Sequence, residues 1–127
     1  MRIADAAVLL GVSDDTVRRW VDAGRLVAGE SGPGPRTVEA ASVAALMAQQ
    51  APDVAAPVQQ SARNRFPGIV TRVEVDGVMA LVEIQAGPHR VTSLMARESA
   101  EDLGLVPGML ATAVVKSTNV VVERDPA

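Results

Sequence analysis

A chain of 127 residues with 48% apolar side chains is long enough for one ordinary domain or two very small ones, and it can bury a core. Aromatic residues make up only 2%, which leaves the core to Val, Leu, Ile, Ala and Met, and the absence of cysteine excludes disulfides, zinc–thiolate sites and cysteine nucleophiles. The net charge of −3 argues against broad, nonspecific nucleic-acid binding but leaves room for a locally basic face.

No apolar run behind a basic stretch marks a signal peptide, and no segment approaches the roughly 18 consecutive apolar residues of a membrane span. A soluble cytoplasmic protein without a membrane partner is therefore expected. Residues 1–50 read as helical, whereas residues 61–127 are rich in Val, Thr and Gly turns and read mostly as strand. Between them, residues 51–60 hold Pro52 and Pro57 with Asp53 as their single charge, the composition of a semi-extended linker.

In chain order, Ile3, Ala6, Ala7 and Leu10 recur at helical spacing, and Gly11 follows at a natural stop. Ser13 is a good N-cap for a second helix, with Asp14 and Asp15 in the first turn, where the helix dipole favours negative charge. Val17, Trp20 and Val21 form the inner face of this helix, Arg18 and Arg19 point away from it, and Gly24 ends it. Helix, glycine turn, helix is the helix-turn-helix plan, whose second helix enters the major groove of DNA.

The residues Ala6 to Ser13, Thr16-Val17-Arg18-Arg19-Trp20 and Ala23-Gly24-Arg25-Leu26 resemble the MerR and excisionase-like winged-helix heads. The resemblance implies a wing at Ser31–Val38 and a closing helix at Ala41–Met47, capped by Ser42 or a neighbour. It also implies that Asp15, Thr16, Arg18 and Arg19 face double-stranded DNA while Arg36 touches its backbone. Few phosphate contacts would mean a shallow salt slope and a need for dimerisation.

In the second half, residues 68–75 alternate as a strand, Asp76-Gly77 marks a hairpin, and residues 79–84 return. Gly87-Pro88 breaks the chain before a third strand at 89–95. Ser99 with Asp102 has the spacing of a capping box for a short helix reaching Leu105. Strands at 110–115 and 120–123 complete the set. The fold class expected is α+β: a winged helix-turn-helix followed by a small, five-stranded OB-like barrel.

Lys116 is the single lysine of the chain, at the end of an apolar run and followed by Ser117, Thr118 and Asn119. A cation among hydroxyls suits an oxyanion, because ammonium, hydroxyl and backbone N–H groups all donate. Ser61-Ala62-Arg63-Asn64 offers a second donor cluster.

Together with Gly68, Leu103-Gly104-Leu105 and Gly108, these two clusters resemble the molbindin (Mop) domain, nearly end to end over residues 61–124. That domain also occurs in molybdate-responsive repressors and in importer ATPases. The resemblance implies molybdate or tungstate as ligand, no organic cofactor and no metal cation, and a homo-oligomer with the anion held at subunit interfaces. It implies that Ser61, Arg63 and Asn64 donate from one subunit and Lys116 and Ser117 from another. Ser99 stands where the family often adds a hydroxyl donor, against a competing role as helix cap. Arg65, Phe66 and Pro67 depart from the family's usual residues.

The function these readings support is a molybdate-responsive DNA-binding regulator. The alternative is a storage or buffering protein whose head serves only assembly, and sulfate as ligand would leave the physics unchanged. An enzyme is not expected: one histidine, no cysteine, and no paired-carboxylate or phosphate-loop motif leave little to build it from.

Overall fold

The computed structural model of the chain describes residues 1–51 and 61–126, in two compact units, Met1–Asp53 and Val54–Ala127. All of the expected linker but Ala51 lies outside the described residues.

The first unit holds α1 (Ile3–Leu10), α2 (Asp14–Asp22) and α3 (Ala40–Gln50). Gly11 ends α1 in the left-handed region at φ 68°, and the N–H groups of Gly11 and Val12 donate to the carbonyls of Val8 and Ala7. This closure satisfies the last turn, and a Cβ would strain it. Ser13 caps α2 by accepting the Thr16 N–H at 3.1 Å. The three helices enclose Ile3, Ala6, Ala7, Val17, Leu26, Val38, Val43 and Leu46, with Trp20 partly buried against them.

One local expectation fails in this unit. Ser42 does not cap α3. Glu39 occupies the cap position without a side-chain bond, and the Ser42 hydroxyl instead donates to the Glu39 carbonyl and accepts the Val27 N–H. At the base of the expected wing the Gly29 N–H donates to the Thr37 carbonyl and the Glu39 N–H to the Val27 carbonyl, and the loop tip forms no strand. Single bridges join Ala28 to Val38 and Arg2 to Thr37 around the loop. Pro33 and Pro35 lack the N–H groups that a ladder needs there.

The second unit holds β1 (Asn64–Asp76), β2 (Met79–Ala86), β3 (His89–Ala96), α4 (Arg97–Asp102) and β4 (Leu110–Val115), followed by a 3₁₀ turn at Ser117–Asn119. The strands form one antiparallel sheet in the order β3-β2-β1-β4. Met79 pairs with Asp76 and His89 with Ala86, so the two-residue loops are Gly77-Val78 and Gly87-Pro88. Each opens on a glycine at positive φ, 60° and 56°, and no non-glycine residue among the described ones shares that sign. That combination belongs to type II′ hairpins.

β1 begins four residues before the expected Gly68 and runs through Pro67. Pro67 is tolerated because β2 pairs only as far as Ile69, leaving β4 as the sole partner at that point. Thr71 is the extra residue of a bulge between the pairs Val70–Ile84 and Arg72–Glu83.

The barrel expectation is corrected to an open four-stranded sheet. The fifth strand expected at 120–123 makes no ladder among the described residues; the 3₁₀ turn carries the chain onward instead of back along β4. Val121 and Val122 are left 87% and 85% exposed. The core of this unit is small: Val70, Val82 and Ile84, with Val73, Met95, Leu105, Ala111 and Ala113 partly buried around them.

Candidate oxyanion site and candidate nucleic-acid interface

The two donor clusters of the second unit meet at one end of the β1–β4 ladder. Asn64 pairs with Val115 as the last step of that ladder. The Asn64 side-chain amide donates to the Val115 carbonyl at 3.0 Å. This bond orders the segment Ser61–Asn64 beside the segment Lys116–Ser117 and commits part of Asn64's donor capacity to the backbone.

Ser61, Arg63, Lys116 and Ser117 are exposed, and Asn64 is half-buried. Lys116 enters no ion pair among the described residues. The nearby sequence explains why: β4, the turn after it and β1 as far as Val73 contain no carboxylate. An exposed ammonium followed in the chain by two hydroxyl residues, with no acid beside it among the described residues, is an electrostatic environment that an anion fills.

Ser99 does not join this cluster within one chain. It lies inside α4, whose cap position is Ala96 with no side-chain bond, so the expected capping box is also corrected. The Arg97 N–H donates to the Val78 carbonyl at 2.7 Å and starts the helix three residues early, against the β1–β2 hairpin. Ser99 is therefore near the opposite end of β1 from Asn64.

On the head, Asp15, Arg18 and Arg19 are exposed on α2 and Thr16 is half-buried. The arginines have local partners. Arg18 pairs with Asp15 at 2.9 Å, Arg36 with Asp22 at 3.0 Å, and Arg19 donates to the Thr16 hydroxyl at 3.1 Å. Arg25 stacks on the Trp20 ring at 4.5 Å. Exposed pairs of this kind are worth about 0–1 kcal/mol and exchange readily for a phosphate.

Arg2 was missed in the sequence reading. It lines an open cleft with Asp14, Arg18, Pro35, Arg36 and Thr37, because its backbone bridges Thr37 across the unit. That 35-residue separation leaves no signal in local spacing. Arg2 pairs with Asp5 at 3.0 Å. This partner holds the Asp5 carboxyl below the usual carboxylate range and raises the guanidinium.

Together these elements define a two-unit protein, with a three-helix head built around a helix-turn-helix and a small antiparallel β unit that follows it in the chain. Family models match both: the helix-turn-helix domain over residues 1–51 and the TOBE domain over residues 60–122. Molybdenum-pterin-binding protein 3 of Clostridium pasteurianum is 44% identical over 63 residues, which are 49% of this chain and 93% of that protein. The chain belongs to the TOBE (molbindin) family, with a helix-turn-helix domain ahead of it.

Molybdenum transport protein ModE of Azotobacter vinelandii is 37% identical over 71 residues, 55% of this chain but 26% of that longer protein. The high-resolution structure of a molybdate binding protein from Sporomusa ovata superposes with a TM-score of 0.51 at 30% identity. It covers 53% of this chain and 100% of that one. Among the described residues, no helix is long and apolar enough to cross a membrane.

Proposed function

We propose that this protein is a molybdate-responsive DNA-binding regulator, with units divided as residues 1–50, a linker at 51–60, and residues 61–127. Its β unit takes molybdate or tungstate between copies of the chain, and its head binds double-stranded DNA. The observation that carries the reading is the end of the β1–β4 ladder, where the Asn64–Val115 bond holds Ser61–Asn64 beside an unneutralised Lys116. Each copy presents both clusters at that end, so where two copies meet there, Ser61, Arg63 and Asn64 of one subunit donate to the anion together with Lys116 and Ser117 of the other. Ser99, remote from this end in its own chain, serves only if a neighbouring copy brings it in. The names of the relatives, molybdenum-pterin-binding and molybdenum transport proteins, support the ligand.

Assembly of copies is supported by the open edges of β3 and β4 and by the exposed run Val120–Val122. An anion that binds only at a formed interface stabilises one arrangement of subunits by its differential affinity. Two heads then meet DNA at a spacing set by the assembly, with Asp15, Thr16, Arg18 and Arg19 towards the groove and Arg36 on the backbone.

The second reading, storage or buffering with the head serving assembly alone, is favoured by one feature. The polar side of α2 carries Asp14, Asp15 and Asp22 beside Arg18 and Arg19, an acidic surplus that phosphates disfavour.

Calorimetric titration of the full chain with molybdate, with sulfate as control, tests the ligand. Saturable heat with molybdate, lost in Lys116→Ala and small with sulfate, is expected. Equal heat in wild type and Lys116→Ala, or none in either, contradicts the site.

A further inference from the structure

Among the described residues, Arg65 is the one whose side chain holds a buried nitrogen without a hydrogen-bond partner. Its Nε is closed off from solvent and donates to nothing among the described residues. A charged donor left unmade in a folded chain is costly, and each such group calls for an explanation. No carboxylate is at hand to satisfy it, because β4 and β1 as far as Val73 contain none.

Register gives the direction in which Arg65 projects. Arg65 pairs with Val114, and successive side chains alternate across a strand. The backbone is still extended at Lys116, with φ −62° and ψ 140°, so Lys116 follows Val114 on the same face. Asn64 and Val115 occupy the other face and tie the two strands together there. Arg65 and Lys116 are thus two cations on one face at one end of a single two-strand ladder. Arg63 lies two residues before Arg65.

We infer that Arg65 is a further anion-binding residue of the oxyanion site. With its side chain turned to uncover Nε, it donates through Nε and a terminal nitrogen to two oxygens of a tetrahedral oxyanion, the fork geometry that suits a planar guanidinium. The inference rests on the reading of Lys116 and the Ser61–Asn64 segment as that site. It adds a specificity: a site with this extra cation favours divalent tetrahedral oxyanions over monovalent ones of the same shape. The Coulomb energy with each cation is proportional to the ligand's charge, so removing one cation costs a dianion about twice, on a logarithmic scale, what it costs a monoanion.

The test is calorimetric titration of the full-length wild type, Arg65→Gln, Arg65→Lys and Lys116→Ala with molybdate and, separately, with perrhenate, a tetrahedral monoanion. Assembly mass is measured by light scattering on each protein. Arg65→Gln is expected to weaken molybdate about tenfold and perrhenate about threefold, with Arg65→Lys recovering most of both and the mass unchanged. Arg65→Gln binding both anions as wild type does, or losing both by the same factor, overturns the inference. So does a loss of assembly mass with unchanged molybdate affinity in the assembled fraction, which would assign Nε to a carbonyl of a second copy. Wild type that binds neither anion overturns the underlying site instead, an outcome distinct from a silent Arg65→Gln.

Discussion

The two units solve the problem of a small chain in opposite ways. The head closes on itself. Eight buried side chains from three helices and the loop between α2 and α3 form one core, and Arg2, Arg18 and Arg36 each meet a carboxylate within the unit. The β unit leaves its business unfinished. Three buried residues centre its core, large apolar side chains such as Leu110 at 80% and Leu94 at 68% face outward, and Lys116 and Arg65 have no acid beside them among the described residues. Sheets of three or more strands need a covered hydrophobic face, and isolated cations need an anion. The difference teaches which unit carries its own stability and which is shaped for additions from outside.

Three substitutions sharpen that contrast. The largest effect is expected from Leu26→Ala, which empties a 2%-exposed position of the head core. It should cost the head about 2–5 kcal/mol. Trp20 is the only tryptophan of the chain, so urea unfolding followed by its fluorescence reads this loss directly. A shift under about 1 kcal/mol would mean that the head does not rely on its own core.

Gly68→Ala acts on the β unit. Its Cβ would come within 2.3 Å of the Gln85 carbonyl oxygen, so β1 or β2 must give way, at about 1–3 kcal/mol for overpacking. Hydrogen exchange should show lost protection between Ile69 and Gln85 with Trp20 fluorescence unchanged. Full protection in the variant would show that the close approach is not needed. Ser13→Ala removes the cap of α2 and should lower head stability by about 1 kcal/mol, again read through Trp20. It tests whether the helix-turn-helix depends on that bond or on the core beneath it.

The parts of the fold that were legible in the sequence rest on short-range chemistry. Gly11 as a stop, Ser13 as a cap and the hairpin turn at Gly77 each depend on neighbours within a few residues. The parts that were misread depend on distant partners. Ser99 has a capping-box spacing, yet the Val78 carbonyl, on another turn, starts α4 at Arg97. The run Val120–Val122 has strong strand propensity, but propensity does not supply a partner strand. The strand expected from Gly68 starts instead at Asn64, because β4, distant in the chain, pairs with the segment around Pro67.

The candidate site shows the same division. Lys116 and Ser61–Asn64 stand out by residue type and by resemblance, whereas the bond that joins them spans 51 residues. Arg65 was visible only as a departure from the family's usual residues, and its unpartnered nitrogen appears only once the strand is folded.

The central claim is that anion binding in the β unit and DNA binding by the head belong to one regulatory device. The most direct test is selection of duplexes from a fragmented genomic library by the full chain, run with and without molybdate, beside an Arg18→Ala, Arg19→Ala variant. Enrichment of a sequence with two related half-sites is expected, recovered in amounts that depend on molybdate and lost in the variant. No enrichment in either condition would contradict it and leave the storage reading; enrichment indifferent to molybdate would break the coupling between the units.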